Sequence, residues 1–504
     1  MNINYIKEIN ESRVYDVAEK TPVSLLNKIS AKYNNTIYLK REDLQPIFSF
    51  KCRGAYNKIS SLSSNDKDKG IIAASAGNHA QGVALSASKL RIDAMIVMPT
   101  TTPSIKIESV KKFGVKVKLY GDSFDEAYEY ALEVSNNEGR VFIHPFDDPL
   151  VIAGQGTVAK EIVEQSEEAP DIFFIPVGGG GLISGMSMYL KEHYPNIKVY
   201  GVESEDAPTL FTSLRNGKPT SLDQVGLFVD GCAVKRIGEE TFRISKKYVD
   251  DVILVSIDET CAAIKDIYED TRVMSEPAGA LSIAGMKKFI ANNNVKNKKI
   301  MAVNSGANLN FDRLRHVTER AEIGEGKELL ISVKIPEESG SFRKFCEVIG
   351  KRSISEFNYR YANEKSANVF VGIKTDNIEK DTKCIFDDLK ENKYNFIDLT
   401  QDEVAKLHLR YMVGGKPSSI INEKLFRFEF PEKPGALLNF LNKMREDWDI
   451  TLFHYRNHGS AFGRVLVGIN IGNHSKENLD EFLLDLDYKY TDETDNQGYN
   501  SFLK

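Results

Sequence analysis

Four short segments of this 504-residue chain carry residue types that could bind a ligand or react with it. In the first, SFKCRGA at 49–55, Lys51 stands where a helix is predicted to begin. The positive end of a helix disfavours an ammonium group, so the segment favours a neutral amine or an amine tied up as an imine. Desolvated lysines with a lowered pKa are the ones that form Schiff bases. Taken alone, the segment fits a solvated surface lysine better.

The second segment directly follows the apolar run IIAA, and its members are Ser75, Ala76, Gly77, Asn78 and His79. Small residues at the turn from a strand into a helix let backbone N–H groups approach an anion closely. We expect a substrate carboxylate to bind here, with further hydrogen bonds from Asn78 and His79. The alternative is a simple helix cap, in which Asn78 starts the following helix.

The third segment follows the apolar run DIFFIP, and its members are Gly178, Gly179, Gly180, Gly181 and Leu182. Four consecutive glycines cost conformational entropy, so packing alone does not explain them. They suit a loop whose main-chain N–H groups surround a phosphate. The G-x-G-x-x-G spacing of a dinucleotide site fails in both possible frames, because Ile183 or Ser184 stands where the third glycine belongs. A single phosphate therefore fits better than a pyrophosphate.

The fourth segment, NSGAN at 304–308, follows the apolar run KIMAV. Taken alone, it is better explained as another helix cap. Ser305 becomes a candidate binding residue because the other three segments accompany it.

The elements that must position these residues alternate between short apolar runs and longer amphipathic stretches, from about residue 36 to residue 316. The predicted strands are IIAASAG, DAMIVMP, VKVKLY, RVFIHP, DIFFIPV, IKVYGVE and KIMAVNS. The predicted helices are HAQGVALSASKL, PSIKIESVKKF, DSFDEAYEYALEV and DPLVIAGQGTVAKEIVEQ. Strands that alternate with helices of this length imply parallel pairing and helices on both faces of the sheet. The sequence therefore predicts an α/β enzyme core.

An internal repeat follows this core. After Glu319, AEIGEGKE carries two glycines and three acidic residues, which is typical of a linker. Beyond it, LLISVKIPEESGSF at 329–342 recurs as LFRFEFPEKPGAL at 425–437, with Pro336 and Pro431 in register. FNYR and FVGI recur in the same order as FHYR and LVGI. Three matches in one order indicate two copies of one folding unit, each predicted as strand, turn, helix, strand, strand, helix, strand.

Composition excludes several classes of function. A net charge of −6 argues against a binder of nucleic acid, which needs a basic face. No apolar run approaches the ~20 residues needed to cross a bilayer, and the polar N-terminus does not resemble a secretory signal. We therefore expect a cytoplasmic protein that does not bind membranes. Its five scattered cysteines fit reduced thiols better than a disulfide framework.

Together the four segments resemble the fold-type II pyridoxal-phosphate enzymes, and in particular the threonine ammonia-lyases, also called threonine dehydratases. SFK, SAGNH, GGGGL and SGAN appear in the order and spacing of that family, and GCAVKRIGEETFR at 231–243 and SEPAGALSIAGMKKF at 275–289 extend the likeness. The C-terminal repeat resembles the paired ACT-like regulatory domains of the long, biosynthetic form. The resemblance implies a parallel-sheet catalytic region similar to the tryptophan synthase β fold over 1–320, a linker over 321–327, and two α+β ACT-like domains over 328–402 and 424–498.

The resemblance also implies roles for the residues above. Lys51 would hold pyridoxal 5′-phosphate as an imine and act as the general base. The loop Gly178–Leu182 would bind the cofactor phosphate, Asn78 the phenolic oxygen and Ser305 the pyridine nitrogen. The loop Ser75–His79 would hold the carboxylate of L-threonine. A serine at the ring nitrogen, in place of a carboxylate, favours loss of a β-leaving group, so the expected products are 2-oxobutanoate and ammonia. L-Serine would give pyruvate.

Three other functions deserve comparison. Serine racemases resemble this chain, but they have a serine at the position of Ala76, and that hydroxyl serves as acid and base on the opposite face. Their divalent-metal site is incomplete here, since Glu203 and Ala207 match but Thr209 replaces an aspartate; we therefore expect no divalent metal. β-Replacement synthases usually have TSGNT in place of SAGNH and lack the repeat. A pure amino-acid sensor with a dead catalytic core would be expected to have lost Lys51.

The repeat implies regulation by small molecules. ACT-like pairs usually bind an amino acid where the first strand meets the first helix, which is around Gly340 and Gly435 in this sequence. A route from threonine to isoleucine predicts inhibition by isoleucine, with valine as an opposing effector. The alternative is that the repeat only joins subunits. A homotetramer is the family expectation.

Overall fold

The computed structural model describes residues 3–336, 341–350, 352, 354–363, 366–411, 423–431, 440, 443, 448–456, 462–471, 476–486 and 488–502. The chain forms two compact units, residues 1–317 and 318–504. Within the described ranges, no helix has the length and apolar character needed to cross a membrane.

The first unit contains two β-sheets. Its strands are β1 (Val23–Leu25), β2 (Thr36–Arg41), β3 (Ile71–Ala74), β4 (Ala94–Met98), β5 (Lys116–Leu119), β6 (Val141–Phe142), β7 (Ile172–Pro176), β8 (Lys198–Ser204), β9 (Asp251–Val255) and β10 (Lys299–Asn304). One sheet has the order β1-β2-β10-β7-β8-β9 and the other β5-β4-β3-β6. Every pairing is parallel except that of β1 with β2. Parallel pairing confirms the α/β fold class expected from the sequence.

After α1, which precedes the first strand, the helices of the first unit connect successive strands. They are α1 (Tyr5–Asn10), α2 (Asn27–Tyr33), α3 (Lys51–Ser60), α4 (Ser64–Lys69), α5 (Asn78–Leu90), α6 (Ser104–Lys111), α7 (Phe124–Glu138), α8 (Pro149–Gln165), α9 (Gly181–His193), α10 (Thr209–Asn216), α11 (Glu239–Tyr248), α12 (Ile257–Thr271) and α13 (Pro277–Asn293). Helix α14 (Leu314–Gly324) follows, and short 3-10 helices cover Val14–Asp16, Glu42–Leu44 and Phe311–Arg313.

The predicted elements occur at their expected places. Each of the seven predicted strands contains an observed strand, from β3 to β8 and at β10, and the four predicted helices correspond to α5, α6, α7 and α8. Strands β1, β2 and β9 have no counterpart among the predicted strands. The strands divide into two sheets and not the single sheet expected, because β3 to β6 pair only among themselves in the described structure.

Helices α3 and α8 approach each other unusually closely. A Cβ added at Gly154 would lie 2.6 Å from the Cα of Gly54, so neither position has room for a side chain. Beside this crossing, Arg53 of α3 forms ion pairs with Glu161 of α8 at 2.6 Å and with Glu42 at 2.8 Å, and these three side chains are fully buried. The contacts fix the position of α3, and therefore of Lys51 at its start.

The second unit consists of two similar four-stranded antiparallel sheets. The first has β11 (Glu328–Pro336), β12 (Ile354–Asn363), β13 (Ser366–Lys374) and β14 (Asn395–Asp398), in the order β12-β13-β11-β14. The second has β15 (Glu423–Pro431), β16 (Asp449–Arg456), β17 (Phe462–Asn470) and β18 (Tyr490–Asp492), in the order β16-β17-β15-β18. The helices in its described residues are α15 (Ser341–Ile349), α16 (Ile378–Glu391), α17 (Glu403–Leu407), α18 (Lys476–Leu486) and α19 (Gln497–Phe502), with a 3-10 helix at Leu409–Tyr411.

The two sheets reproduce the repeat seen in the sequence. Pro336 and Pro431 end equivalent strands, and FVGI and LVGI lie in equivalent strands, β13 and β17. Each sheet has its own apolar core, and a further core joins residues of both, among them Leu330 and Leu425. In the segment 321–327, expected as a linker, α14 continues through residue 324, and a turn with Gly326 at φ +66° leads into β11. Because apolar Ile323 packs into the shared core, this segment is part of the fold.

Candidate active site

Three of the four chemistry-bearing segments follow adjacent strands of one sheet. Strand β10 pairs in parallel with β2 on one side and with β7 on the other. Lys51 comes after β2, the tetraglycine run after β7 and Ser305 directly after β10. The carboxyl ends of these strands meet at one edge of the sheet, which is where open α/β sheets bind their ligands.

Lys51 is held at this edge by the residues just before it. Ser49 forms a β-bridge with Gly306, and the backbone N–H of Phe50 donates to the carbonyl of Ser305 at 3.3 Å. The Nζ of Lys51, the first residue of α3, donates to the carbonyl of Pro145 at 2.9 Å. The sequence prediction that Lys51 opens a helix is therefore confirmed, and the side chain is partly buried instead of solvated.

The amine of Lys51 is easier to deprotonate than an ordinary lysine. Burial lowers the pKa of Lys51 to about 8, and Cys232 and Glu276 oppose this shift through their charges. At pH 8, about half of the amine is therefore neutral. A neutral amine is the nucleophilic form that attacks a carbonyl group.

The tetraglycine loop runs between β7 and α9 with no space for side chains. A Cβ at Gly178 would lie 3.0 Å from the Cα of Cys232, and one at Gly179 would lie 2.1 Å from the ring of Phe146. Gly180 has φ +89°, a conformation that side chains disfavour. Leu182 belongs to the first turn of α9, whose leading N–H groups have no partners within the helix. The loop is thus a main-chain surface suited to a phosphate.

The second segment forms the turn from β3 into α5. Asn78 is the first residue of α5 and Gly77 is its N-cap, without a side-chain capping bond. The backbone N–H of Gly77 donates to the hydroxyl of Ser75 at 3.2 Å, and a Cβ at Gly77 would meet nothing within 4 Å. Ser75, Ala76 and Gly77 are partly exposed, so this turn is accessible to a small anion.

His79 supports the turn from inside. Its Nε2 lies 2.9 Å from the carbonyl oxygen of Ile143, and because a carbonyl only accepts, Nε2 carries the proton. Burial and the neighbouring charge of Lys51 lower the pKa of His79 to about 3, so the ring is neutral. The Nε2–H of His79 is therefore engaged with the protein, and the contribution of His79 to substrate binding stays a prediction.

The side chain of Asn78 does not cap α5, as the alternative of a simple helix cap would require. Its amide nitrogen donates to the carboxylate of Glu276 at 2.7 Å, and its amide oxygen accepts from Asn308 at 2.7 Å. Ser305, 3 % exposed, follows β10 at the same edge. Glu276 and Asn308 were not assigned roles by the sequence analysis, although both lie in segments, SEPAG and SGAN, that it singled out.

These residues fit pyridoxal phosphate. A buried lysine with a lowered pKa, a main-chain cradle that added Cβ atoms would fill, and a serine at the end of β10 lie on adjoining loops. The lysine suits the aldehyde of that group, the main-chain cradle suits its phosphate, and the serine suits its ring nitrogen. Additionally, Asp147 accepts from the backbone N–H groups of residues 239, 240 and 241, and Thr241 donates to the carbonyl of Gly179 at 2.8 Å, so α11 supports the cradle.

Glu203 and Thr209, which correspond to the metal site of the serine racemases, form hydrogen bonds within the protein instead. Glu203 is fully buried and accepts from the backbone N–H groups of Leu210 at 2.7 Å and Phe211 at 2.9 Å, which caps α10. The hydroxyl of Thr209 donates to the carbonyl of Val234 at 2.5 Å. Among the described residues, no group of three or more His, Cys, Asp or Glu side chains could hold a metal ion. The absence of a divalent metal stays a prediction.

Gly340 and Gly435, the expected effector positions, lie outside the described residues. Their roles are therefore untested.

Comparison with known proteins identifies the family. Residues 14–306 match the family of pyridoxal-phosphate-dependent enzymes, and residues 319–409 and 414–503 match the C-terminal regulatory domain of threonine dehydratase. The chain is 50% identical over 501 residues to the biosynthetic L-threonine dehydratase IlvA of Pasteurella multocida, which covers 99% of this chain and 97% of that protein. The Escherichia coli protein of the same name is 49% identical over 499 residues, with 99% and 97% covered.

Among solved structures, the processed form of threonine deaminase isoform 2 from Solanum lycopersicum is similar at 48% identity and a TM-score of 0.62, covering 63% of this chain and 88% of that one. These findings confirm the fold-type II fold class, the cofactor and the resemblance derived from the four segments. The chain therefore belongs to the pyridoxal-phosphate-dependent threonine dehydratases, lyases that carry the C-terminal regulatory domain of that family.

Proposed function

We propose that this chain deaminates L-threonine to 2-oxobutanoate and ammonia, and L-serine to pyruvate, as the first step toward isoleucine. The observation that carries the proposal is the position of Lys51: its low-pKa amine lies at the sheet edge that also presents the tetraglycine cradle and Ser305. Relatives about half identical over nearly the whole chain bear the name threonine dehydratase, which supports threonine as substrate.

Each segment would hold one part of the cofactor. The loop Gly178–Gly181 with Leu182 binds the phosphate through main-chain N–H groups and the start of α9. Asn78 would donate to the phenolic oxygen, and Ser305 would contact the pyridine nitrogen. The bound cofactor withdraws electrons from the substrate α-carbon, which is the chemistry no side chain of this protein supplies.

Lys51 performs the proton transfer. Nζ of Lys51 would hold the cofactor at its aldehyde, and with substrate in the site the same neutral amine would accept the proton from the α-carbon. A pKa of about 8 suits both tasks near neutral pH, because a sizeable part of the amine is unprotonated and still basic enough to take a proton. The β-hydroxyl would leave as water and one water would be taken up as ammonia is released, so that L-threonine gives 2-oxobutanoate and ammonia.

The substrate carboxylate binds at the start of α5. Ser75, Ala76, Gly77, Asn78 and His79 form the turn, and the leading N–H groups of α5 point out of the helix toward it. The neutral ring of His79, tied to Ile143, keeps the turn in place without adding charge. The missing hydroxyl at Ala76 disfavours racemisation, since no acid or base is placed there on the opposite face.

The second unit would make the activity responsive to amino acids. We assign residues 1–320 to catalysis, 321–327 to the connection, and 328–402 and 424–498 to two ACT-like domains. The match to the regulatory domain of threonine dehydratase supports binding of a small-molecule effector. Isoleucine as inhibitor, valine as opposing effector, Gly340 and Gly435 as effector positions, and a homotetramer are parts of this proposal. The cytoplasmic location stays a prediction.

The test is to measure 2-oxobutanoate from L-threonine with the cofactor-loaded protein, across a substrate titration, with and without L-isoleucine. Lys51→Ala is the control, and it should abolish turnover. Ketoacid formation that isoleucine suppresses supports both parts of the proposal. If isoleucine does not change turnover, the assignment of isoleucine as the effector is wrong, and the lyase assignment stands. Absence of ketoacid from cofactor-loaded protein overturns the lyase, and assays for D-serine formation and β-replacement then follow.

A further inference from the structure

Glu276 is a buried carboxylate that the mechanism above does not use. It directly precedes α13, is 5 % exposed, and its backbone N–H donates to the carbonyl of Gly306 at 3.2 Å. A Cβ at Gly306 would lie 2.4 Å from its carboxylate oxygen, so the glycine of SGAN makes room for this side chain. Glu276 thus lies against the same loop as Ser305.

The hydrogen bonds around it have a direction that can be derived. The amide nitrogen of Asn308 donates to the backbone carbonyl of Ile47 at 2.8 Å, and a carbonyl can only accept. The same nitrogen lies 2.7 Å from Asn78, so it must face the oxygen of that amide. The nitrogen of Asn78 then faces Glu276, to which it donates at 2.7 Å. The fixed carbonyl of Ile47 therefore determines the orientation of both amides.

This orientation has a consequence at the cofactor. An amide nitrogen carries two hydrogens, and Glu276 accepts only one of those of Asn78. The second is free to donate, while the amide oxygen is turned away toward Asn308. A flipped Asn78 would present its oxygen, which repels a phenolate oxygen.

We propose that Glu276 is a positioning residue which, together with Asn308, holds the amide of Asn78 so that its second N–H points to the phenolic oxygen of the cofactor. The inference rests on the proposed function, because it assumes the role that the proposed function gives to Asn78 at the phenolic oxygen. Glu276 acts through Asn78 and does not itself need to touch the substrate.

The charge of Glu276 strengthens the arrangement. Burial raises the pKa of Glu276 to about 7; Asp230 adds to the rise, whereas the hydrogen bond from Asn78 and the charges of Lys106 and Arg313 oppose it. Lys51 and Cys232 also interact with this carboxyl group through their charges. An ionised carboxylate accepts more strongly than a neutral group, so its hold on Asn78 strengthens as pH rises through this range.

The test uses the absorption spectrum of the lysine-bound cofactor without substrate, over a pH range, and the dissociation constant of the cofactor. A donor to the phenolic oxygen favours its ionised form, so losing it shifts absorbance from the long-wavelength band to the short-wavelength band. We expect Glu276→Ala to show this shift and to bind the cofactor roughly tenfold more weakly, the loss of one hydrogen bond. Glu276→Gln keeps an acceptor oxygen, and it should bind better than Glu276→Ala but lose the pH dependence near 7.

Glu203→Gln is the matched control, because Glu203 is another buried carboxylate whose hydrogen bonds come from the backbone of α10. Its spectrum should resemble that of the parent. If both Glu276 variants keep the parent band ratio at every pH, the inference is overturned while the lyase stands. If the parent protein forms no lysine-bound band, the proposed function fails, and the inference fails with it. If Glu276→Ala does not fold, Glu276→Gln still allows the test, because glutamine has nearly the same shape as glutamate.

Discussion

Substitution of Arg53 by methionine should destabilise the first unit strongly, because Arg53 is the centre of a buried ion network. Its guanidinium donates to Glu42 at 2.8 and 2.9 Å, to Glu161 at 2.6 Å, to Thr157 at 3.1 Å and to the carbonyl of Glu19 at 3.2 Å. Arg53 is 0% exposed. Methionine fills a similar volume but leaves the two carboxylates without their shared partner.

The magnitude follows from what remains after the change. Lys40 pairs with Glu161 at 2.6 Å, so that carboxylate keeps one cation, whereas Glu42 loses the partner that forms two bonds with it. Breaking a buried pair by removing one member costs about 3–5 kcal/mol. That is a large part of the ~5–15 kcal/mol that stabilises a typical protein. Because Arg53 lies two residues from Lys51 in α3, we also expect weaker cofactor binding.

The assay must follow the first unit alone. The single tryptophan, Trp448, lies in the second unit, so its fluorescence reports on that unit only. Loss of cofactor absorbance in urea would report on the first. Arg13→Met is the control, since Arg13 is 70% exposed in its pair with Asp16 and exposed pairs contribute little.

The pH dependence offers a second check of the same network. Burial alone would raise the pKa of Glu42, but the ion pair with Arg53 and the nearby charge of Lys40 more than offset it, so the pKa lies below its ordinary value. The stability from this carboxylate is therefore present above pH ~4.5 and is lost as pH falls. Arg53→Met should remove that acid sensitivity. A variant that costs less than about 1 kcal/mol, or that keeps the acid slope of the parent, would refute the reasoning.

Three further outcomes follow from the first unit. Gly179→Ala should abolish cofactor binding in an absorbance titration, because its Cβ would lie 2.1 Å from the ring of Phe146, whereas Gly77→Ala, with open space around the new methyl, should bind normally. Burial lowers the pKa of His144 to about 4, so this side chain binds a proton in the unfolded chain before it does in the folded one. His144→Asn should therefore lose about 2 kcal/mol less stability than the parent between pH 7 and pH 5, measured by urea titration. Ser256→Ala removes a capping box at the start of α12 and should cost about 1 kcal/mol in the same titration.

Local features of the fold were predictable from the sequence because they depend on neighbouring residues. Runs such as IIAA and DIFFIP are strands since their apolar residues are buried on both faces of a parallel sheet. The start of α5 at Asn78 follows from the small residues before it. By contrast, the hydrogen bonds of the Asn78 side chain to Glu276 and Asn308 could not be predicted, since these partners lie 198 and 230 residues away along the chain. The same distance hides the pairing of Arg53 with Glu161, 108 residues apart.

The order of the strands explains why the site as a whole could be inferred only by resemblance. Along the chain, the lysine segment and the SGAN segment are separated by about half of the sequence, and nothing in their composition places them together. In the fold, β10 lies between β2 and β7, although it is the last strand of the first unit along the chain. That insertion places Ser305 beside the residues leading to Lys51 on one side and beside the tetraglycine strand on the other. A chain with the same segments and β10 at an outer edge would have every motif and no site, because Ser305 could then adjoin only one of the two.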